Sequence, residues 1–98
     1  MQVEFEDPDL QRLEAEAAFT AGLAQPLVTV FRKRMQLIRA AVDIRAFYAL
    51  KSLHFEKLKG DREGQYSMRL NEQWRLIVRL AQKPDGTTIV IVSIVDYH

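Results

Sequence analysis

Two stretches of alternating polar and apolar residues, near the middle of the chain, constrain its fold more than any other feature. Residues 65–70 and residues 73–80 each place an apolar side chain at every second position. A period of two is typical of strands with one buried face and one exposed face. Asn71-Glu72, between them, is predicted to form a two-residue turn because Asn tolerates the left-handed conformation. We therefore predict a β-hairpin.

The two predicted strands sort their side chains onto opposite faces. The apolar set, predicted to enter the core, is Tyr66, Met68, Leu70, Trp74, Leu76, Val78 and Leu80. Arg69, Arg75 and Arg79 fall at alternate positions, with Ile77 beside them, and share the other face if the strands are in register. This pattern predicts a cationic surface on a rigid platform. The alternative is that Arg75 and Arg79 form salt bridges on this face.

The most β-prone segment is the TTIVIVSIVD run at residues 87–96, which contains six branched aliphatic side chains. A run that is apolar on both faces predicts a buried central strand. The Lys-Pro-Asp-Gly segment at residues 83–86 is a turn signal before it. At the other end of the chain, residues 3–5 are predicted to form a short first strand.

Helices are predicted in the first half. Asp7-Pro8 is typical of an N-cap followed by the first helical residue, and Gly22 is the predicted stop. Pro26 begins a second helix. Its predicted apolar stripe is Leu27, Val30, Phe31, Met35, Ile38, Ala41 and Val42. Asp43 is a possible N-cap for a short helix ending near Leu50. The fold class is α+β, with a helical hairpin packed on one face of a small, mainly antiparallel sheet.

Length and composition fit one domain spanning residues 1–98. There is no cysteine, which excludes disulfides and thiolate chemistry. No apolar run reaches bilayer-spanning length, and the acidic N-terminus does not resemble a signal peptide. We therefore expect a cytoplasmic protein without a membrane partner.

Charge is distributed unevenly along the chain. Residues 1–31 carry six acidic side chains and one basic, a net charge of −5, whereas residues 32–62 carry nine basic and three acidic, a net charge of +6. A basic middle segment indicates a surface that faces a polyanion. A solvated helix surface is the equally plausible alternative on charge alone.

Several titratable side chains could carry acid–base chemistry. They are Asp96, Tyr97, His98, His54, Lys57 and Lys59. Imidazole titrates near neutral pH, so a His beside a phosphate can take or give a proton with little penalty. With the arginines as charge stabilisers, this set suits a metal-free ribonuclease. The alternative is a polar tail plus a surface histidine. No glycine-rich phosphate loop or metal-ligand spacing is present, so we expect no cofactor and no metal.

Three segments carry a family resemblance. They are LKGDREGQYS at residues 58–67, NEQWR at residues 71–75 and VDYH at residues 95–98. In this order they resemble HigB-type toxins, a branch of the RelE/ParE superfamily of type II toxin–antitoxin systems that is also called plasmid-maintenance killer proteins. The resemblance implies a RelE/ParE-like fold. It further implies a metal-free mRNA interferase that cuts messenger RNA in the ribosome by 2′-hydroxyl attack. The implied partners are the ribosome, messenger RNA and a HigA-like helix-turn-helix antitoxin, with operator DNA bound only through the antitoxin complex.

The resemblance also assigns residues. Asp96, Tyr97 and His98 correspond to catalytic positions, and Lys59 and Arg62 to the basic segment. His54 stands farther from Leu-Lys-Gly than the corresponding family histidine, so Lys57 could share its work. Lys59 and Arg62, together with Arg69, Arg75 and Arg79 from the alternation of the hairpin strands, form the set predicted to bind RNA and the ribosome.

Two other functions are consistent with the superfamily. ParE-like relatives inhibit DNA gyrase by binding, and a degenerate relative would keep only its antitoxin-binding surface. The Asp-Tyr-His ending favours the interferase, whereas superfamily membership alone does not.

Overall fold

The computed structural model describes residues 1–96, so the Tyr97 and His98 predictions lie outside the described residues. Five strands form one sheet in the order β1-β5-β4-β3-β2. The strands are β1 (Gln2–Phe5), β2 (Glu56–Lys57), β3 (Gln65–Arg69), β4 (Trp74–Lys83) and β5 (Gly86–Asp96). The helices are α1 (Pro8–Ala15), α2 (Gln25–Ala40) and α3 (Arg45–Ala49), and Lys51–Leu53 and Gly60–Arg62 form short 3₁₀ turns. The predicted α+β class is confirmed.

β5 is an interior strand, as its apolar run predicts, although the middle strand of the five is β4. β5 pairs in parallel with β1 and antiparallel with β4. The β4–β5 hairpin closes at Lys83 opposite Gly86, so the predicted turn is confirmed. Gly86 has φ of +130°, a backbone conformation that residues other than glycine rarely adopt. The short first strand is confirmed in β1.

The β3–β4 hairpin places Arg69 opposite Arg75 and Gln65 opposite Arg79, so the three arginines share one face of the sheet, as the alternation predicts. The predicted two-residue turn is wrong, because residues 70–73 all lie between the strands. Asn71 does not adopt the left-handed conformation. Its Oδ1 instead accepts hydrogen bonds from the Gln73 amide at 2.9 Å and the Trp74 amide at 2.8 Å. The side chain therefore closes the loop in place of a tight backbone turn.

One hydrophobic core lies between the helices and the sheet. Its central members are Leu13, Val28, Phe31, Met35, Ile38, Phe47, Met68, Leu76, Ile89 and Ile91. Two details of the predicted α2 stripe are wrong. Val28 is fully buried although the predicted stripe omits it, and Val42 is 90% exposed. The helix ends at Ala40 and Ala41 is extended, which carries Val42 out of the helical register.

The N-terminal helix starts as predicted and ends early. Asp7 caps α1 by accepting a hydrogen bond from the Asp9 amide at 2.9 Å. The helix stops at Ala15, so the predicted stop at Gly22 is wrong. The Arg32 guanidinium reaches over from α2 and binds four carbonyl oxygens at the end of α1 and in the loop beyond it, those of Leu13, Glu16, Ala17 and Phe19. These contacts replace the helical bonds that a longer α1 would make.

The third helix is close to its prediction. Asp43 accepts a hydrogen bond from the Arg45 amide at 2.9 Å, just before α3 begins. Its carboxylate also accepts bonds from the Arg45 guanidinium, and this bonding holds the pKa of Asp43 below its ordinary value. Within residues 1–96, no helix is both long enough and apolar enough to cross a bilayer.

The face of the sheet that points away from the helices is called the outer face here. Ile77 and Val90 lie on it and are only 1% and 2% exposed, although they do not belong to the main core. Ile77 and Val95 line a cavity together with residues of the segment 58–62. This segment therefore folds over the outer face near the end of β5.

Candidate functional site

The cavity beneath segment 58–62 is the candidate functional site. It has a volume of about 440 Å³. It is lined by Leu58, Lys59, Asp61, Arg62, Ile77 and Val95. Val95 is the residue before Asp96, so the cavity lies where β5 leads into the three titratable residues at positions 96–98. The structure thus brings the predicted basic segment next to the end of β5, whose last residue is Asp96.

The segment is held in place by bonds to β3. The Leu58 amide donates to the Gln65 carbonyl at 2.9 Å, and Arg62 Nη1 donates to Gln65 Oε1 at 3.1 Å. Gly60 and Gly64, with φ of +67° and +88°, allow the chain to turn at both ends of the loop. These contacts give Lys59 and Arg62 a defined position over the sheet.

Positive charge at the cavity is available for a ligand. Lys59 and Arg62 are exposed, and within residues 1–96 neither forms a salt bridge. Asp61 and Glu63 lie close in sequence and reduce the net charge of the loop. Lys57 stands opposite Tyr66 in the β2–β3 pair and lines a neighbouring cavity of about 340 Å³ with Leu58 and Lys59. Lys57 is therefore near the site but outside its main cavity.

Arg75 does not line the cavity, but it connects β4 to the backbone of His54. Its Nη1 donates to the His54 carbonyl at 3.2 Å and to Ser67 Oγ at 3.3 Å, and it lies 3.7 Å from Glu56 Oε1. The Arg75 side chain is only 15% exposed, so these contacts are shielded from solvent. His54 has φ of +46°, an uncommon conformation for a residue with a side chain. The arrangement sets the backbone of His54 against the arginine.

Arg69 and Asp96 lie at the same end of the sheet. Arg69 faces Arg75 across the β3–β4 pair, which places two guanidinium groups on adjacent strands, and its Nε donates to the Asn71 carbonyl at 3.3 Å. Asp96 is exposed, stands opposite Trp74 and accepts a bond from Gln73 Nε2 at 3.0 Å. Two guanidinium groups therefore lie on adjacent strands at this end of the sheet, and that of Arg75 is ion-paired with Glu56.

Comparison with known families identifies the family of this chain. Residues 3–98 match the family of HigB-like toxins, the RelE-like toxins of type II toxin–antitoxin systems. The chain belongs to this family. A search of curated proteins gave no significant match.

Solved structures of similar toxins share the fold. The YoeB/ParE toxin from Agrobacterium tumefaciens is 18% identical over the full length of both chains, with a TM-score of 0.61. YafQ from E. coli is 12% identical, with a TM-score of 0.62, over 97% of this chain and 91% of that chain. The YoeB–YefM complex from Staphylococcus aureus is 20% identical, with a TM-score of 0.56, over 100% of this chain and 97% of that chain. At these identities the likeness establishes the fold alone.

One predicted site residue of this HigB-like toxin lies elsewhere. Arg79 is on the outer face as predicted, but its Nε forms a 2.8 Å salt bridge with Glu6 Oε1. It lines a separate cavity with Glu4, Glu6 and Arg39. The alternative prediction of a salt-bridging arginine therefore describes Arg79 better than membership of one continuous cationic surface does.

The sequence prediction missed the apolar residues of the toxin's site. Leu58, Ile77 and Val95 give the cavity an apolar lining between its cations. Ile77 was the available signal, because it is an aliphatic residue between Arg75 and Arg79 on a face predicted to be exposed. An isolated aliphatic side chain on a polar face indicates that another segment covers it. The covering segment could not be identified from local pattern.

Proposed function

We propose that this toxin is an endoribonuclease that cuts messenger RNA at the ribosome by 2′-hydroxyl attack, without a metal ion. The observation that carries the proposal is the cavity in which Lys59 and Arg62 lie beside the end of β5. That strand leads directly into Asp96, Tyr97 and His98. Cations and proton-transfer groups adjacent to one another are what phosphodiester cleavage requires.

The reaction assigns a task to each group. A general base removes the proton from a ribose 2′-hydroxyl, and the oxygen attacks the neighbouring phosphorus. The bond to the 5′-oxygen breaks, and a general acid protonates that leaving oxygen. The products are a 2′,3′-cyclic phosphate and a free 5′-hydroxyl. His98 and His54 are the proposed proton-transfer groups, and Asp96, Tyr97, Lys57 and Lys59 are the other proposed catalytic residues.

The cations and the apolar lining have separate tasks. Lys59, Arg62 and Arg75 would stabilise the charge that develops on the phosphate oxygens. Arg69 would bind an adjacent phosphate. The lining by Ile77 and Val95 suits the flat face of a base that has been separated from its neighbours in the messenger.

A protein antitoxin is the proposed regulatory partner. The family comprises toxins of type II toxin–antitoxin systems. YoeB from Staphylococcus aureus was solved with YefM, and RelBE2 from Mycobacterium tuberculosis as a toxin–antitoxin complex. We expect this toxin to bind a HigA-like helix-turn-helix antitoxin and to reach operator DNA only through that complex.

The test is expression of the toxin alone, followed by mapping of 5′ ends in cellular messenger RNA. New ends within translated frames, absent in a His98→Gln variant, support the endoribonuclease. We expect that variant to cleave about a hundredfold more slowly, because a proton-transfer group typically contributes that factor or more. Intact messages with gyrase-linked DNA breaks would support ParE-like inhibition instead. Normal growth with intact messages would indicate a degenerate toxin.

A further inference from the structure

Large apolar side chains are exposed on and just after α3. Tyr48 is 53% exposed and Leu50 is 43% exposed. The Tyr48 ring is not free to move, since it contacts the buried Phe55 ring edge-on at a centroid distance of 4.9 Å and an angle of 79°. A fixed tyrosine beside an exposed leucine forms an ordered apolar patch on the surface.

The patch continues onto the edge of the sheet. Phe55 stacks on Tyr66, with centroids 5.2 Å apart and rings 3° from parallel. Lys57 stands directly opposite Tyr66, and it lies on the same side of β2 as Phe55 because side chains alternate along a strand. β2 is the border strand of the sheet, so no further strand of residues 1–96 covers this side.

The lysines around the patch are not neutralised by ion pairs. Within residues 1–96, no carboxylate lies within salt-bridge distance of Lys51, Lys57 or Lys59. Most basic residues elsewhere are paired. The pairs are Arg12–Glu16, Arg39–Glu14, Arg45–Asp43, Arg75–Glu56, Arg79–Glu6 and Lys83–Glu4. The unpaired lysines therefore give this part of the surface a distinct positive potential.

We propose that the surface formed by Tyr48, Leu50, Lys51 and Lys57, called the α3–β2 surface, binds an acidic amphipathic segment of the antitoxin. A tyrosine anchor beside an aliphatic residue, with charged residues at the rim, is the composition of a protein–protein interface. Leu50 has no complement on a phosphate backbone, which favours a protein over RNA. Carboxylates of the segment would pair with the lysines. The inference rests on the proposed antitoxin partnership.

The position of the surface gives the antitoxin a means of inhibition. Lys57 and Lys59 line the cavity that adjoins the proposed RNA site. An acidic segment bound across the α3–β2 surface would neutralise these lysines. Antitoxin and messenger RNA would then compete for the same positive charge, and binding of one would weaken binding of the other.

The test compares three variants by calorimetric titration with the purified cognate antitoxin. Leu50→Ser and Tyr48→Ser remove apolar contacts within the surface. Val42→Ser is the matched control, since Val42 is 90% exposed and has no place in the α3–β2 surface. We expect the first two variants to bind the antitoxin about tenfold more weakly or worse, and the control to bind like the parent. Leu50 is the safer variant for folding, because Tyr48 also contacts Phe55.

Charge and RNA binding complete the experiment. Lys51→Glu should weaken antitoxin binding severalfold, with a larger effect at low salt. Equal affinity of the antitoxin for the parent, Leu50→Ser and Tyr48→Ser would overturn the surface assignment, whatever the result of the cleavage assay. Loss of ribosome association instead of antitoxin binding in Leu50→Ser would also overturn it and would assign the surface to RNA. A parent that binds antitoxin through this surface but leaves messages intact would contradict the endoribonuclease alone.

Discussion

Arg75 is the residue through which the candidate site is connected to the fold. A single guanidinium contacts the His54 carbonyl, Ser67 Oγ and the Glu56 carboxylate, and so links β4 to β3 and β2. Ser67 is fully buried, and Arg75 is mostly shielded from solvent. Hydrogen bonds in such a setting are screened less by water than those of exposed arginines.

The first prediction concerns the shape of that side chain. Arg75→Lys keeps the charge but loses the planar group that binds several partners at once. We expect the free energy of unfolding to fall by about 1–3 kcal/mol, because buried acceptors lose their donors. Arg69→Lys is the control, since Arg69 donates to one loop carbonyl, at 3.3 Å. The free energy of unfolding should fall less in this variant than in Arg75→Lys. Urea unfolding measures both, and equal losses would contradict the role given to Arg75.

The second prediction separates the backbone of His54 from its imidazole. His54 is left-handed, a conformation that glycine adopts freely and β-branched residues adopt only with strain. The free energy of unfolding of His54→Gly should therefore lie within about 1 kcal/mol of the parent's value. That of His54→Val should be lower than the parent's by about 1–2 kcal/mol. Both remove the imidazole, so both should cleave messenger RNA slowly. Normal cleavage by the folded His54→Gly variant would remove His54 from the mechanism.

Among the elements, α1 shows how a distant side chain ends a helix. The helix ends at Ala15 because Arg32, from the next helix, binds the carbonyls of Leu13, Glu16, Ala17 and Phe19. The loop is further held by the Arg12 guanidinium, which lies 3.9 Å from the Phe19 ring centroid. Positive φ angles at Ala21 and Gly22 then turn the chain toward α2.

The third prediction tests this cap. Arg32→Ala should lower the free energy of unfolding by about 1–3 kcal/mol, since several carbonyls lose their donor at once. Amide hydrogen exchange should rise in residues 13–23 more than in the sheet. Lys33→Ala is the matched control, because Lys33 is the exposed neighbour of Arg32. Its removal should change the free energy of unfolding by no more than about 0.5 kcal/mol. An Arg32→Ala variant as stable as this control would show that the cap contributes nothing.

Elements specified by their own residues were predictable from the sequence. Strand alternation, the Asp7-Pro8 start, Pro26 and the Lys-Pro-Asp-Gly turn depend on side chains within a few positions, and each prediction is confirmed. The end of α1 depends on Arg32, many positions away, and the β3–β4 loop depends on a side-chain bond rather than on backbone preference. Local pattern contains no information about either.

The candidate site likewise has features that the local sequence predicts and features that depend on tertiary contacts. Lys59, Arg62, Arg69 and Arg75 were predicted as functional cations from charge, alternation and family resemblance. The position of Lys59 and Arg62 beside the sheet depends on which segment folds over the outer face. Ile77 and Val95 belong to the site only because of that tertiary contact. Arg75 and Arg79 both form ion pairs, Arg75 with Glu56 and Arg79 with Glu6, and only the Arg79 pair lies at a separate cavity.

For the whole molecule, folding redistributes the charge. The acidic first third pairs with basic residues from later elements through Glu14–Arg39 at 2.6 Å, Glu6–Arg79 at 2.8 Å and Glu4–Lys83 at 3.4 Å. Surface pairs of this kind stabilise little, but they cancel charge locally. The basic residues left without an ion pair in residues 1–96 include Lys51, Lys57, Lys59 and Arg62. Four of the basic residues in the middle segment thus keep an uncancelled charge, although the chain's net charge is only +1.

The last prediction uses that uncancelled charge. A Lys59→Glu/Arg62→Glu variant should bind ribosomes at least about tenfold more weakly than the parent at low salt, because it places carboxylates where phosphates are expected to lie. Its affinity should also depend less steeply on salt, since fewer counterions are released. A Lys33→Glu/Lys83→Glu variant has the same change in charge at exposed positions away from the cavity. Its affinity for ribosomes should stay close to that of the parent. Sedimentation with purified ribosomes across a salt series measures both variants. If both lose affinity equally, overall charge rather than the cavity governs binding, and Lys59 and Arg62 have no special place in RNA recognition.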